Sequence, residues 1–415
     1  MDLISSSVEK VVGQKLAIEF KVSSSVSRQK EKEEEVDDFF SFTAQSTQAY
    51  LNPKFRLENF VVGLSNHGEE HPYPFSIQPA KSVEEAEAIM GNLIQLWQPN
   101  VIVVAMDLPL QARIHERLSQ YKTKYIAITP LENGPLCMSW AAPLFNMDAV
   151  FFISELGKQE AHKVGVTKAE HLQIGVDTVL WRPAFPEEKK KLRDGLGISQ
   201  DAFVVLTVAD NQERKNLWAG MEAVSILKKE ISRPIRYILV TREQSPFGFR
   251  LRDMAVEMGI NQEYTPFERG MAQKDLWALY AVADVYLQPS KAEGLGLPVL
   301  DAMCCKIPVV ATDTGAMTEL LDDKRGFLIP GYKFGDRDGV RDVWGNSLRK
   351  FINIEILAGT LIGMGKTWHP VTDWNCVENA YEYVSKRTWD IPAKQLSDKI
   401  KELVNEPKTE APIQA

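Results

Sequence analysis

The sequence predicts an α/β protein built from two doubly wound parallel-sheet domains that face each other across a cleft. Three observations point there. Apolar strand-like runs alternate with helix-length amphipathic segments in both halves of the chain, the pattern of repeated β-α-β units whose sheets are covered on both faces. At 415 residues the chain can form two domains of ordinary size, each with its own core. Between the halves, the charged, proline-containing stretch RPAFPEEKKKLRDGLGI at 182–198 breaks the alternation, and a fresh apolar strand follows from Ala202.

In chain order, LAIEFKV at 16–22 alternates as a strand and runs into SSSVS at 23–27. The charged run RQKEKEEEVDDFF at 28–40 reads as a solvated helix face or a mobile segment. A second strand, 60–65, leads to a polar loop at 66–74. There His67 and His71 are four apart, but Gly68 and Pro72 disfavour the helix that would align them on a metal. Helical spacing at 83–97 and 110–121 alternates with strands at 100–105 and 124–129. The loop PLENGPLCMSW then sits at a strand's carboxyl end, where open α/β sheets place ligands, and offers Glu132 and Asn133 as polar candidates, with a capped turn as the alternative reading. A strand at 148–154 ends at Ser154, a suitable N-cap for the next helix.

The second half repeats the scheme. Strands fall at 202–208, 236–241, 284–288 and 308–311, with helices at 216–230, 249–258 and 274–281. The predicted domains are 1–183 and 184–371. A helix at 372–390 is expected to pack back on the first domain, and 391–415 to be a largely disordered tail.

Composition narrows the functional classes. A net charge of −8, with no basic stripe interleaved with aromatics, argues against a nucleic-acid binder. The four cysteines, Cys137, Cys304, Cys305 and Cys376, show no disulfide or zinc spacing, which fits a reducing cytoplasm. No signal peptide is evident. No apolar run approaches the roughly 18 residues of a membrane span, and no repeat has a solenoid period.

Chemistry concentrates at 290–319, SKAEGLGLPVLDAMCCKIPVVATDTGAMTE. Pro298 is expected as the first residue of a helix. That would put the backbone N–H groups of Gly294, Gly296 and Leu297 where they can point at phosphate oxygens, helped by the helix N-terminus. Glu293 precedes this turn, and Asp301 is expected in the first helical turn. The loop ADNQERKN at 209–216 opens another helix with Arg214 and Lys215 at its positive end. Cations there cost about 0.3–1 kcal/mol, which a bound anion would offset. Both loops can face one cleft and hold one diphosphate. Asp336 and Asp338 read as an ordinary polar loop, so no divalent ion is called for.

The segment PSKAEGLGLPVLDAMCCKIPVVATDTGAMTELL, with YAVADVYLQPS, GVDTVLWRP and ADNQERKNL in the same order, resembles the group 1 (family 4) retaining glycosyltransferases. Those enzymes have the GT-B architecture of two Rossmann-like domains. The resemblance implies transfer of a sugar from a nucleotide diphosphate sugar to a glycan, lipid or protein acceptor, with retention at the anomeric carbon. It implies that Glu293 lies beside the donor sugar, that Asp301 holds the ribose, and that Arg214 and Lys215 bind the diphosphate. Asn211, Gly294, Gly296 and Leu297 join them in donor binding, and Glu132 and Asn133 fall on the acceptor side. No cofactor or metal is implied beyond the donor. A cytoplasmic location is expected, with peripheral membrane contact and oligomeric state left open.

Three features depart from the family pattern. Asp301 is one methylene shorter than the family's Glu, Asp210 stands where relatives carry Arg and would repel a diphosphate, and SSSVS replaces the usual glycine-rich first turn. They keep a second reading open, a catalytically impaired protein of this fold that binds a nucleotide, a glycan or a partner chain.

Overall fold

The computed structural model describes residues 14–21, 57–64, 77–246, 248–343, 345–367 and 375–405. The serine-rich turn, the charged run at 28–40, the two-histidine loop and the residues after 405 lie outside the described residues.

The first sheet comprises β1 (Gln14–Lys21), β2 (Leu57–Leu64), β3 (Ile77–Ala80), β4 (Val101–Ala105), β5 (Lys124–Thr129), β6 (Ala149–Phe152) and β7 (Ala169–His171). Its order is β3-β2-β1-β4-β5-β6-β7, and every pair is parallel. Helices α1 (Val83–Trp97), α2 (Leu108–Leu118), the short α3 (Met138–Ala141) and α4 (Glu155–Lys163) belong to this domain. Ser154 caps α4 as expected, its Oγ accepting from the Gly157 N–H at 3.2 Å.

The second sheet comprises β8 (Phe203–Val208), β9 (Ile235–Thr241), β10 (Tyr264–Glu268), β11 (Val285–Gln288), β12 (Val309–Thr312) and β13 (Phe327–Ile329). Its order is β10-β9-β8-β11-β12-β13, again wholly parallel. With it go α5 (Pro186–Gly195), α6 (Leu217–Glu230), α7 (Leu251–Glu257), α8 (Gln273–Val282), α9 (Leu297–Cys304), α10 (Met317–Arg325) and α11 (Ile354–Thr367). A two-stranded antiparallel pair, β14 (Val340–Arg341) and β15 (Leu348–Arg349), follows β13. The described chain closes with α12 (Asn375–Ser385) and α13 (Asp390–Asn405).

In both sheets the strand order reverses at the first strand. β1 lies between β2 and β4, and β8 between β9 and β11. At such a switch point the connections leave in opposite directions and open a crevice at the carboxyl ends of the strands.

Strand β4 is buried along its whole length, and its alternation feeds two cores. Ile102 and Val104 pack with Met90, Ile94 and Ile114 of α1 and α2. Val101 and Val103 face the other way, in a core shared with Trp389, Leu396 and Ile400. Leu396 and Ile400 lie in the stretch expected to be a disordered tail and correct it, whereas Trp389 and Arg387, whose Nε donates to Ile174 O at 3.2 Å, lie in the 372–390 segment expected to pack on the first domain and meet it there. Helix α12 stays on the second domain, where Glu378 pairs with Lys306 at 2.8 Å and Asn379 Nδ2 donates to Lys324 O. The returning element is α13, which begins where the disordered tail was expected. Ala393, Leu396, Ile400 and Leu403 recur every three or four residues and are buried, so they form one apolar stripe that covers the open face of the first sheet. Gln395 Nε2 donates to His171 O at 2.8 Å, and Lys399 pairs with Glu170 at 2.9 Å.

No helix among the described residues is long and apolar enough to cross a membrane.

Candidate functional site

The site forms where the loops after β8 and β11 meet, beside the second sheet's switch point. Residues Glu213–Lys215 make one 3-10 turn, and Asn216, at φ +53°, redirects the chain into α6. Asn216 Nδ2 donates to Pro289 O at 3.1 Å, and the Lys291 N–H donates to Arg214 O at 2.9 Å. These two bonds hold the loops side by side.

That pairing delivers two cations to one carboxylate. Glu293 is only 4% exposed. Its Oε1 accepts from Lys215 Nζ at 2.7 Å, Gln288 Nε2 at 2.6 Å and Ser290 Oγ at 2.7 Å. Arg214 Nη1 lies 3.5 Å from Oε2 and donates to Ala292 O at 2.8 Å. Burial pushes the Glu293 carboxyl up, but Lys215 and Arg214 outweigh it and hold it at about 2. Burial pulls Lys215 down from the usual lysine range, with Glu293 opposing. At neutral pH the group is therefore an ionised carboxylate, paired with Lys215 and Arg214. The structure brings together Glu293, Lys215 and Arg214, the three residues singled out as catalytic in the sequence.

The glycine turn completes the cradle. Gly296, at φ +89°, is the N-cap of α9, a conformation that favours glycine. Among the described residues, the N–H groups of Gly294, Gly296 and Leu297 make no hydrogen bond. Gly294 and Gly296 are buried. Buried donors without partners at a helix N-terminus suit an anion. Two expectations shift by a residue or so. Pro298 is the second helical residue, not the first, and Asp301 is the fifth, just past the first turn and half-buried.

Asp210 is not the bare repelling anion expected of it. Arg242 Nε donates to its Oδ1 at 2.8 Å, Arg269 Nη1 lies 3.2 Å away, and Gln212 Nε2 donates to Oδ2 at 3.0 Å. Burial raises the carboxyl, but the two arginines outweigh it and lower it. The cluster carries two cations for one anion. Sequence reasoning missed Arg242 and Arg269, although both follow closely on strand carboxyl ends of the same sheet, which is the signal that could have found them.

Asn211 also departs from its expected donor contact. It is fully buried, its Nδ2 donates to Phe249 O at 2.8 Å, and its Oδ1 accepts from the Phe249 N–H at 2.9 Å. Its amide braces the loop after β9.

Glu132 and Asn133, expected on the acceptor side, reach across to the second domain. Glu132 Oε1 lies 2.7 Å from Arg214 Nε, and Oε2 lies 2.6 Å from Arg349 Nη1. Asn133 Nδ2 donates to Thr314 Oγ1 at 3.0 Å and Leu348 O at 2.9 Å. Arg349, on β15, is a third residue the sequence did not single out.

Comparison with known proteins agrees with this geometry. Residues 188–336 match the family described as "Glycosyl transferases group 1". Over 194 residues the chain is 31% identical to the GDP-mannose-dependent alpha-(1-6)-phosphatidylinositol monomannoside mannosyltransferase of Mycolicibacterium smegmatis, covering 44% of this chain and 49% of that protein. The chain spans about half the length of the curated relatives it matches. The structure of Anabaena Alr3699/HepE in complex with UDP and glucose superposes with a TM-score of 0.67 at 15% identity, covering 94% of this chain and 100% of that one. A glycosyltransferase from Rickettsia africae superposes with a TM-score of 0.66 at 15% identity, covering 95% and 99%. With two parallel sheets facing across a cleft and the motif loops converging at the switch point, the chain has the GT-B architecture, and its residues 188–336 are similar to the group 1 glycosyltransferases.

Proposed function

We propose that the protein is a family 4 hexosyltransferase that moves a sugar from a nucleotide diphosphate sugar to an acceptor hydroxyl, with retention. The observation that carries this reading is the buried, ionised Glu293 held by Lys215 and Arg214 beside the free N–H groups of Gly294, Gly296 and Leu297. The named relative uses GDP-mannose, and the Anabaena structure holds UDP and glucose, which supports a nucleotide diphosphate hexose as donor.

In the reaction the bond between the anomeric carbon and the diphosphate breaks, and the acceptor oxygen bonds to that carbon on the same face. The acceptor's proton passes to the departing phosphate oxygen, so no protein nucleophile takes part. Lys215, Arg214 and the three N–H groups neutralise the charge that builds on the diphosphate, typically the largest contribution available to such a site. Glu293 is ionised at neutral pH, so it cannot act as the acid. It stabilises positive charge developing at the anomeric carbon. Asp301, past the first turn of α9, would meet the ribose through its shorter side chain. The net-positive cluster of Asp210, Arg242 and Arg269 removes one objection to diphosphate binding and favours this reading over a purely binding protein. The acceptor is a glycan, lipid or protein, the reaction uses no metal, and the setting is cytoplasmic.

The test begins with calorimetric titration and thermal shift against UDP, GDP and ADP. A ligand at 100 times its Kd should add about 2.7 kcal/mol of stability. The nucleotide that binds is then offered as its sugar derivatives with and without EDTA, and the anomeric configuration of the product is read by NMR. Silence across all three nucleotides would sink the proposal. Inverted product would remove retention, and loss of turnover in EDTA would remove metal independence.

A further inference from the structure

The first domain's loop at 130–134 is seated in the donor cradle. An ideal Cβ on Gly294 would lie 2.7 Å from Pro130 Cβ, and one on Gly315 would lie 2.4 Å from both Glu132 O and Glu293 O. Only the absence of side chains at these positions lets the loop come so close. Asn133 anchors it to Thr314 and to Leu348 O. At its tip, the Glu132 carboxylate bridges two guanidinium groups of the second domain, Arg214 Nε at 2.7 Å and Arg349 Nη1 at 2.6 Å.

A carboxylate with one oxygen on each of two guanidinium groups makes the same charge-assisted N–H···O contacts that two oxygens of a phosphate group would make with them. From this geometry we infer that Glu132 is an intramolecular competitor for the donor's diphosphate at Arg214, and that donor binding must displace it. The inference rests on the proposed diphosphate role of Arg214. It adds that the free enzyme holds its domains together through this carboxylate, and that the nucleotide takes Arg214 from it.

Two opposing effects decide the direction of a test. Glu132 orients Arg214, so its loss could weaken binding. It also places a negative charge in contact with the cation that the diphosphate needs, so its loss should strengthen binding. Arg214 keeps other supports without Glu132: Nη1 is bonded to Ala292 O, and its own carbonyl accepts from Lys291. Arg349 also retains Asp342, at 3.6 Å. The charge effect therefore prevails.

The experiment compares the wild type, Glu132→Gln and Glu319→Gln by calorimetric titration with UDP, GDP and ADP at low ionic strength. Glu132→Gln keeps the side chain's size and an acceptor for Arg214 but deletes the charge. Glu319→Gln deletes a different carboxylate that crosses the domain interface, one that accepts from the Glu155 and Leu156 N–H groups of α4. The expected result is at least tenfold tighter binding of the preferred nucleotide by Glu132→Gln, with Glu319→Gln at the wild-type value. Unchanged or weaker binding by Glu132→Gln overturns the inference, as does equal tightening by Glu319→Gln, which would mean general loosening of the interface. If the wild type and both variants bind no nucleotide, it is the proposed transferase function that fails.

Discussion

Lys215 Nζ lies 2.7 Å from Glu293 Oε1, an ion pair that joins the loops after β8 and β11 across the switch point of the second sheet. Removing one partner of a buried pair costs about 3–5 kcal/mol because the other charge is left uncompensated. Glu293 retains Gln288, Ser290 and Arg214, so Lys215→Met should fall at the lower end, about 3 kcal/mol in urea unfolding. Transfer should drop by about two to three orders of magnitude, the usual cost of losing one donor to a developing anion. Release of diphosphate at the wild-type rate would remove Lys215 from the mechanism.

The same carboxylate sets an acid limit on stability. Glu293 is held at about 2, down from 4.5, so its folded-state value is depressed. Its contribution is complete above pH 4.5 and is lost as pH falls from there toward 2. The shift corresponds to about 3 kcal/mol. Wild-type stability, measured by urea unfolding at stepped pH, should therefore fall more steeply through that window than that of Glu293→Gln. Parallel acid slopes for the two proteins would contradict the assigned ion pairs.

Restoring the family's Arg at position 210 should harm this protein. Asp210 is the shared partner of Arg242 and Arg269, so Asp210→Arg brings three guanidinium groups together and removes the carboxylate that two of them share. A loss of about 1–3 kcal/mol is expected from breaking these partly buried pairs. Relief on further changing Arg242 to Ala would confirm that the cause is like charge. A variant as stable as the wild type would show that the cluster is unimportant to the fold.

How far the sequence could be read follows from which physical signals are local. Glu293, Lys215, Arg214 and the glycine turn were legible because each sits at a strand-to-helix junction that the apolar runs locate. β3 and β10 were not, because Pro79 and Pro266 interrupt them. Both are edge strands, where a missing N–H is tolerated. α11 carries Gly359, Gly363 and Gly365, which weaken any helical forecast until α6 is present to pack against. The pairing of Arg242 and Arg269 with Asp210, and of Arg349 with Glu132, became visible only when the partners were placed, since they are 32 or more residues apart in sequence. The repulsion expected from Asp210 failed for the same reason: a charge's effect depends on neighbours that no local window contains.

Gly315 and Gly296 both have positive φ but should respond differently to a methyl group. At Gly315, φ is +53° and a Cβ would lie 2.4 Å from the carbonyl oxygens of Glu132 and Glu293. Those atoms belong to two backbones and cannot move independently of the domain contact. At Gly296, φ is +89° and the Cβ meets the end of the Met317 side chain at 2.5 Å, which can change rotamer. Gly296→Ala should cost about 1 kcal/mol from the backbone alone, whereas Gly315→Ala adds about 1–3 kcal/mol of overpacking. Equal melting temperatures for the two variants would show that the loop at 130–134 is not held against Gly315.

The carboxyl-terminal helix provides the sharpest contrast between a tail and a structural element. α13 buries Leu396, Ile400 and Leu403 in the core that also holds Val101, Val103 and Phe151 of the first sheet. Full burial of an aliphatic side chain is worth about 1.5–3 kcal/mol, so ending the chain after Trp389 should remove more than about 5 kcal/mol and expose one face of β4. Ending it after Asn405 leaves α13 whole and keeps these contacts. Leu396→Ala should fall between them, at about 2–4 kcal/mol. If truncation after Trp389 gave a soluble protein that melted like the full chain, α13 would be dispensable and the face of the first sheet would need no cover.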